Sequence, residues 1–213
     1  MFLYEPSIPA NARAAFVAMC GRLGAAPSDI AVCIKIESNF NPAAKAPGSS
    51  ASGLIQIIEA NARKLGTTTA DLRQKSFVEQ LPYVEGYLRN AMRETGKQPQ
   101  NVYDWYLLIH YPVAVGKPDN YVLYAAPGDA YNGNKGLDAN KDGQVTIAEI
   151  KRRVNQQIPA GYVQTALYQP LFWVTIAGLF LAFVIYRKQK TILNYLQNIQ
   201  KSWLQNRNSS KGN

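Results

Sequence analysis

Apolar positions early in the chain recur at helical spacing. Asn11 to Leu23 predicts a helix halted by Gly24, and Pro27-Ser28-Asp29 opens a second one with Ser28 as its expected N-cap. In that second run Ile30, Val32, Cys33, Ile34 and Ile36 leave little polar face between Asp29 and Ser38, which predicts a helix buried on most sides. Ser38-Asn39-Phe40-Asn41-Pro42 breaks it, Pro47-Gly48-Ser49-Ser50 prolongs a loop, and Gly53-Leu54-Ile55-Gln56 predicts re-entry into a helix that runs through Ala62 to Leu65.

The far end has a different pattern. Residues 171–186, LFWVTIAGLFLAFVIY, carry no charge and one mildly polar side chain, Thr175. Sixteen helical residues rise roughly 24 Å, short of the roughly 30 Å hydrocarbon core, but uncharged residues extend the stretch back to Tyr162. Tyr162, Tyr168, Trp173 and Tyr186 cluster toward its edges, and Arg187, Lys188 and Lys190 follow at once, the signature of one transmembrane helix. Beyond it Ile192, Leu196, Ile199 and Trp203 form one stripe of an amphipathic helix among Lys190, Lys201 and Arg207. The expected architecture is mainly α: a helical domain over 1–160, a transmembrane helix with its flanks over 161–190, and a basic amphipathic tail over 191–213.

Charge sharpens that division. The chain of 213 residues has a net charge of +9, yet through Glu149 its 14 Lys/Arg balance 14 Asp/Glu. The last 64 residues hold 9 basic side chains and no acidic one. The domain is therefore electrically ordinary, while the tail is expected to meet a polyanion, either anionic lipid or packaged nucleic acid. The opening MFLYEPSIPANARAAF has an acid at Glu5, two early prolines and no apolar core, so export through an ordinary signal peptide is not expected. His110 is the only histidine and Cys20 and Cys33 the only cysteines, without metal-ligand spacing, which argues against zinc amidase, Cys-His and Ser-His-Asp chemistry.

The candidate chemistry lies in ESNFNPAAKAPGSSASGLIQ. Glu37 follows Cys33 by four residues and so shares a face with a core position, where desolvation raises a carboxyl's pKa and suits it to general-acid work. Its bland alternative is a glutamate at a helix end reaching solvent. Glu37, Ser38, Phe40, Pro42 and Ala44, then Gly53, Leu54 and Gln56, resemble the signature of the soluble lytic transglycosylase and goose-type lysozyme family. Ala130-Tyr131-Asn132 resembles a further family element, although Gly133-Asn134 departs from its usual continuation. The intervening stretches are similar to the phage-borne branch.

The resemblance implies a lysozyme-like fold and cleavage of the β-1,4 bond between N-acetylmuramic acid and N-acetylglucosamine in peptidoglycan. Glu37 would protonate the leaving oxygen and then, as carboxylate, take a proton from the C6 hydroxyl that closes a 1,6-anhydro ring. Ser38, Gln56 and Tyr131 are implied as substrate-binding residues, with the Tyr131 hydroxyl approaching the acid. A muramidase-type hydrolase would need a second carboxylate, for which Glu59, Asp71 and Glu79 are the candidates. The aromatic group Tyr103, Trp105 and Tyr106 reads as core more readily than as a sugar platform.

A second motif, DANKDGQVTIAE, fits the twelve-residue EF-hand loop. Asp138, Asn140 and Asp142 stand at positions 1, 3 and 5, Gly143 at the sharp turn, Gln144 offers its carbonyl at 7, Thr146 stands at 9 and Glu149 at 12. Calcium in a structural role is the expectation, against a vestigial loop that no longer binds metal. The expected setting is a membrane-anchored virion component of a phage with an internal membrane, in contact with other virion proteins; a bacterial inner membrane is the competing placement. The alternative from another class is a non-catalytic, calcium-binding, membrane-anchored assembly protein.

Overall fold

The computed structural model describes residues 1–159, and the segments expected as a transmembrane helix (161–190) and basic tail (191–213) lie outside them. Among the described residues no single helix is long and apolar enough to cross a membrane. The described part is mainly helical: α1 (Arg13–Leu23), α2 (Pro27–Ser38), α3 (Glu59–Lys64), α4 (Thr69–Gln74), α5 (Phe77–Thr95), α6 (Val102–His110), α7 (Asp129–Asn134) and α8 (Ile147–Asn155), with β1 (Val122–Ala125) and β2 (Gln144–Thr146) as an antiparallel pair.

Helix α2 is central because its sequence has no polar face to give to water. Ile30, Ala31, Val32, Cys33 and Ile34 are all fully buried, and α1, α6 and α8 pack around them. Helix α6 is similarly apolar, burying Val102, Trp105, Tyr106, Leu107, Leu108 and Ile109. The amphipathic helix α5 lies against α1 and α6; a reciprocal cap, in which Ser76 N donates to Glu79 Oε2 at 2.8 Å, fixes its start. Each buried aliphatic side chain contributes roughly 1.5–3 kcal/mol relative to exposure, so this three-sided burial of α2 is what holds its last turn in place.

Two local expectations are corrected. Helix α2 begins at Pro27, with Ala26 as its extended N-cap, so Ser28 lies inside the first turn and its Oγ accepts from Leu3 N at 3.0 Å. Proline at the first helical position needs no N–H partner, and this moves the boundary forward. Asp29, in the same turn, is only 2% exposed and its Oδ1 has no partner; burial pushes its pKa up to about 6.

The second correction concerns Gly53-Leu54-Ile55-Gln56, which is a tight turn and not a helix. Ser52 and Ile57 exchange backbone bonds of 3.0 and 2.9 Å across it, and Gly53 and Gln56 take φ of +79° and +52°. Leu54 and Ile55 are both buried, so the apolar pair reflects a turn pressed into the core rather than a helical stripe. The helix starts only at Glu59.

One buried side chain from α5 clamps this region. Gln80, 2% exposed, accepts from Leu54 N at 2.9 Å and donates to the carbonyls of Pro42 at 2.6 Å and Leu72 at 2.7 Å. A Cβ on Gly53 would stand 2.5 Å from the Gln80 oxygen, and the positive φ adds strain. Gly53→Ala is therefore expected to destabilise the domain by about 2–4 kcal/mol, read as a lowered midpoint in chemical denaturation. A midpoint equal to wild type would mean that Gln80 yields freely.

Candidate active site

The last turn of α2 sets the position of the acid. Asn39 leaves the helix with φ +51°, and Ser38 Oγ donates to Ile34 O at 3.2 Å and to Leu54 O at 2.9 Å. The hydroxyl thus ties the end of α2 to the 53–56 turn; it braces the site. Glu37, one residue earlier, retains partial access to a cleft of about 810 Å³. Gln56 lines the same cleft, its Nε2 donating to Gly53 O at 2.9 Å and Ala44 O at 3.4 Å.

Burial pushes the Glu37 carboxyl up to about 7, against the opposing pull of the Arg153 charge and of the Tyr106 hydroxyl. Tyr106 is buried and its pKa is raised, first by burial and then by Glu37, so it stays a neutral phenol beside the acid. His110, which lines the cleft, stacks on the Tyr106 ring at 5.6 Å and 9°, with its Nε2 3.3 Å from the Tyr124 hydroxyl. Burial and the nearby Arg153 lower His110 to about 4, which keeps the imidazole uncharged near neutrality. Tyr87 completes this wall, donating to Ile109 O at 2.9 Å.

Tyr131 does not take the place expected of it. Its hydroxyl donates to Asp138 Oδ2 at 2.7 Å, and the phenol adjoining Glu37 is Tyr106 from the core helix α6. The sequence placed Tyr106 among core aromatics, and it is buried as expected, but one buried phenol can serve both packing and the acid. Arg153 and His110 were also missed as site residues. Arg153 had one signal, a basic residue four positions after the close of the 138–149 loop on the apolar-periodic start of a helix.

The three candidate second carboxylates lie elsewhere. Glu59 accepts from Thr69 N and Oγ1 and pairs with Arg63 at 2.9 Å, Glu79 caps α5, and Asp71 is exposed in the first turn of α4. None of them lines the cleft. Glu94 does, but it is paired with Lys64 at 3.3 Å. Among the described residues the cleft therefore presents one unpaired carboxyl, Glu37, on a wall that includes the Tyr87 phenol and the His110 imidazole, with Tyr106 buried beside them.

The 138–149 segment folds as a closed loop between α7 and α8. Asp138 Oδ1 accepts from Lys141 N at 2.7 Å and Oδ2 from Gly143 N at 2.9 Å; Asp142 Oδ1 accepts from Gln144 N at 2.8 Å. Asn140 Oδ1 accepts from Asp142 N at 3.1 Å, while Gly143 makes the sharp turn at φ +85° and Val145 is fully buried. Glu149 closes the ring: Oε1 accepts from Ala139 N, and Oε2 from Thr146 N and Oγ1. All the side-chain donors are hard oxygens, although no group of three or more His, Cys, Asp or Glu gathers at one point among the described residues.

Residues 18–104 match the family model described as Transglycosylase SLT domain. The matched segment contains Glu37, the 53–56 turn, Tyr87 and Gln80, and stops before α7, the 138–149 loop and α8. It supports a lysozyme-like, lytic-transglycosylase type of domain with peptidoglycan as its substrate. No curated protein matches the chain.

The raised acid has a signed consequence. A carboxyl whose folded pKa is about 7, against an ordinary 4.5, stabilises the fold fully below 4.5, and that contribution is lost as pH rises toward 7. Glu37→Gln, which is neutral throughout, is expected to melt with wild type near pH 4.5 and above it at about pH 8. Thermal melts across that range test this; a difference that does not change with pH would mean the carboxyl is solvated.

Proposed function

We propose that the chain cleaves the MurNAc–GlcNAc β-1,4 bond of peptidoglycan as a lytic transglycosylase, with Glu37 as its single acid and base. The observation that carries this reading is the half-buried Glu37 on a cleft wall, with a pKa near neutrality and no second free carboxylate among the described cleft residues. A proton passes from Glu37 to the glycosidic oxygen as the C1–O4 bond breaks. The Glu37 carboxylate then accepts the C6 hydroxyl proton as O6 bonds to C1, so no water enters the product and the acid is regenerated. Arg153 and Tyr106 both favour the ionised form, which eases that half of the cycle. Gln56 lines the sugar groove, and Ser38 acts by holding α2 against the 53–56 turn.

The hydrolase reading has less support, because inverting hydrolysis needs a base roughly 6.5–9.5 Å across the bond, and among the described residues the other carboxylate lining the cleft, Glu94, is paired with Lys64. Digestion of purified peptidoglycan followed by mass spectrometry of the fragments separates them. Anhydro ends are expected from wild type, with Glu37→Gln slower by at least about a hundredfold; reducing ends would identify a hydrolase. A wild type that releases nothing would leave the non-catalytic assembly role.

The 138–149 loop is proposed as a structural calcium site. Asp138, Asn140, Asp142, the Gln144 carbonyl, Thr146 and Glu149 supply the oxygen set of an EF-hand, and the glycine turn and buried Val145 fit its backbone. Bound calcium would lock the loop by neutralising its carboxylates. Calcium is expected to raise the melting temperature of wild type and to leave that of Asp138→Ala unchanged; equal shifts, or none in wild type, would remove the site. By sequence, 171–186 remains the proposed membrane span and the basic tail a surface for anionic lipid or nucleic acid, in the setting of a phage virion membrane or a bacterial inner membrane.

A further inference from the structure

Beside the cleft lies a second, smaller cavity of about 260 Å³ lined by Lys35, Ile36, Asn39, Arg153, Gln156 and Gln157. Ile36 and Arg153 border both spaces, so the side cavity adjoins the cleft at the residue next to the acid. Its lining contains two cations, three carboxamides and no carboxylate. Among the described residues neither Lys35 nor Arg153 forms a salt bridge.

Of the two cations, Lys35 is held in position, and Arg153 is exposed. Lys35 Nζ donates to Asn39 Oδ1 and lies 5.9 Å from the Tyr4 ring centroid, while the Tyr4 hydroxyl donates to Gln157 O at the end of α8. The N-terminal segment thereby joins the last turn of α2 to the residues just after α8. In the main cleft Lys64 is paired with Glu94, and Arg153 attracts Glu37 without a salt bridge to it. Paired cations without acids select a substituent bearing carboxylate, and a bidentate guanidinium selects its planar shape.

We infer that Lys35 and Arg153 form a subsite for the free carboxylates of the peptide stem carried by N-acetylmuramic acid, beside the bond at Glu37. This deepens the peptidoglycan reading and rests on it. The stem branches from the sugar next to the bond to be cleaved, so a carboxylate on it lies within reach of Arg153, which borders both spaces.

Binding tests the subsite separately from cleavage. The Glu37→Gln variant of the whole chain is titrated calorimetrically with a soluble muropeptide tetrasaccharide and with the same compound whose stem carboxyls are primary amides. The free acid is expected to bind about tenfold tighter. Arg153→Ala in that background should remove the difference, Lys35→Ala should reduce it, and Arg153→Lys should restore part of it. Equal affinity for the two ligands, discrimination that survives Arg153→Ala, or no binding of either ligand overturns the proposal. Failure of the cleavage reading shows differently, as wild type that binds the muropeptide but releases no fragments.

Discussion

One buried amide fixes the segment on which the cleft depends. Gln80 reaches from α5 to both sides of the loop that follows the acid, taking Leu54 N and giving its own N–H groups to Pro42 O and Leu72 O. A loop of small and polar residues between Pro42 and Ser52 has little apolar surface of its own to bury, so it cannot hold a shape by packing. The Gln80 bonds, reinforced by Ser38 on Leu54 O and by Arg73 on Ser52 Oγ at 2.7 Å, supply what packing does not. Removing the amide would leave several buried backbone groups unpaired, each costing about 1–3 kcal/mol, which is a large share of a typical domain's net stability.

With that floor fixed, the protonation of Glu37 becomes a contest between burial and two local attractions. Burial dominates, since the pKa lies well above the ordinary carboxylate value despite a nearby guanidinium. The neighbours are chosen to leave that balance alone: Tyr106 and Tyr87 remain protonated far above neutrality, Tyr87 near pKa 12, and His110 remains neutral until about 4. Of the two described carboxyls whose pKa is pushed toward neutrality, Glu37 lines the cleft and Asp29 does not. A charged imidazole stacked behind Tyr106 would have stabilised the carboxylate and weakened the acid.

The buried setting of Glu37 was legible in the sequence and its neighbours were not, for a physical reason. Glu37 announces itself because a carboxylate beside Cys33 at the end of an apolar helix is locally expensive, a conflict visible within four residues. The boundaries of α1 and α2 were similarly local, set by Gly24, Pro27 and Asn39, although proline rather than Ser28 opens α2. The 53–56 turn was misread because Leu54 and Ile55 are buried and Leu54 N is tied to Gln80 of α5, 26 residues away, so periodicity alone could not separate turn from helix. Tyr131 was assigned from the family element; its phenol instead satisfies Asp138, seven residues on, while Tyr106 reaches the acid through the α2–α6 packing, a contact no local pattern encodes.

The same tertiary logic joins the two motifs that the sequence presented separately. Glu149 ends the 138–149 loop and also caps α8 through Thr146, and one turn later that helix presents Arg153 to the Glu37 wall. Ile150 and Val154 hold the backbone of the intervening turn in the core, while the Arg153 side chain itself is exposed along the cleft. Any change that draws Glu149 off Thr146 therefore perturbs the first turn of the helix that carries Arg153. Interactions of one guanidinium with Glu37, Tyr106 and His110 make that position the point at which loop geometry and acid chemistry meet.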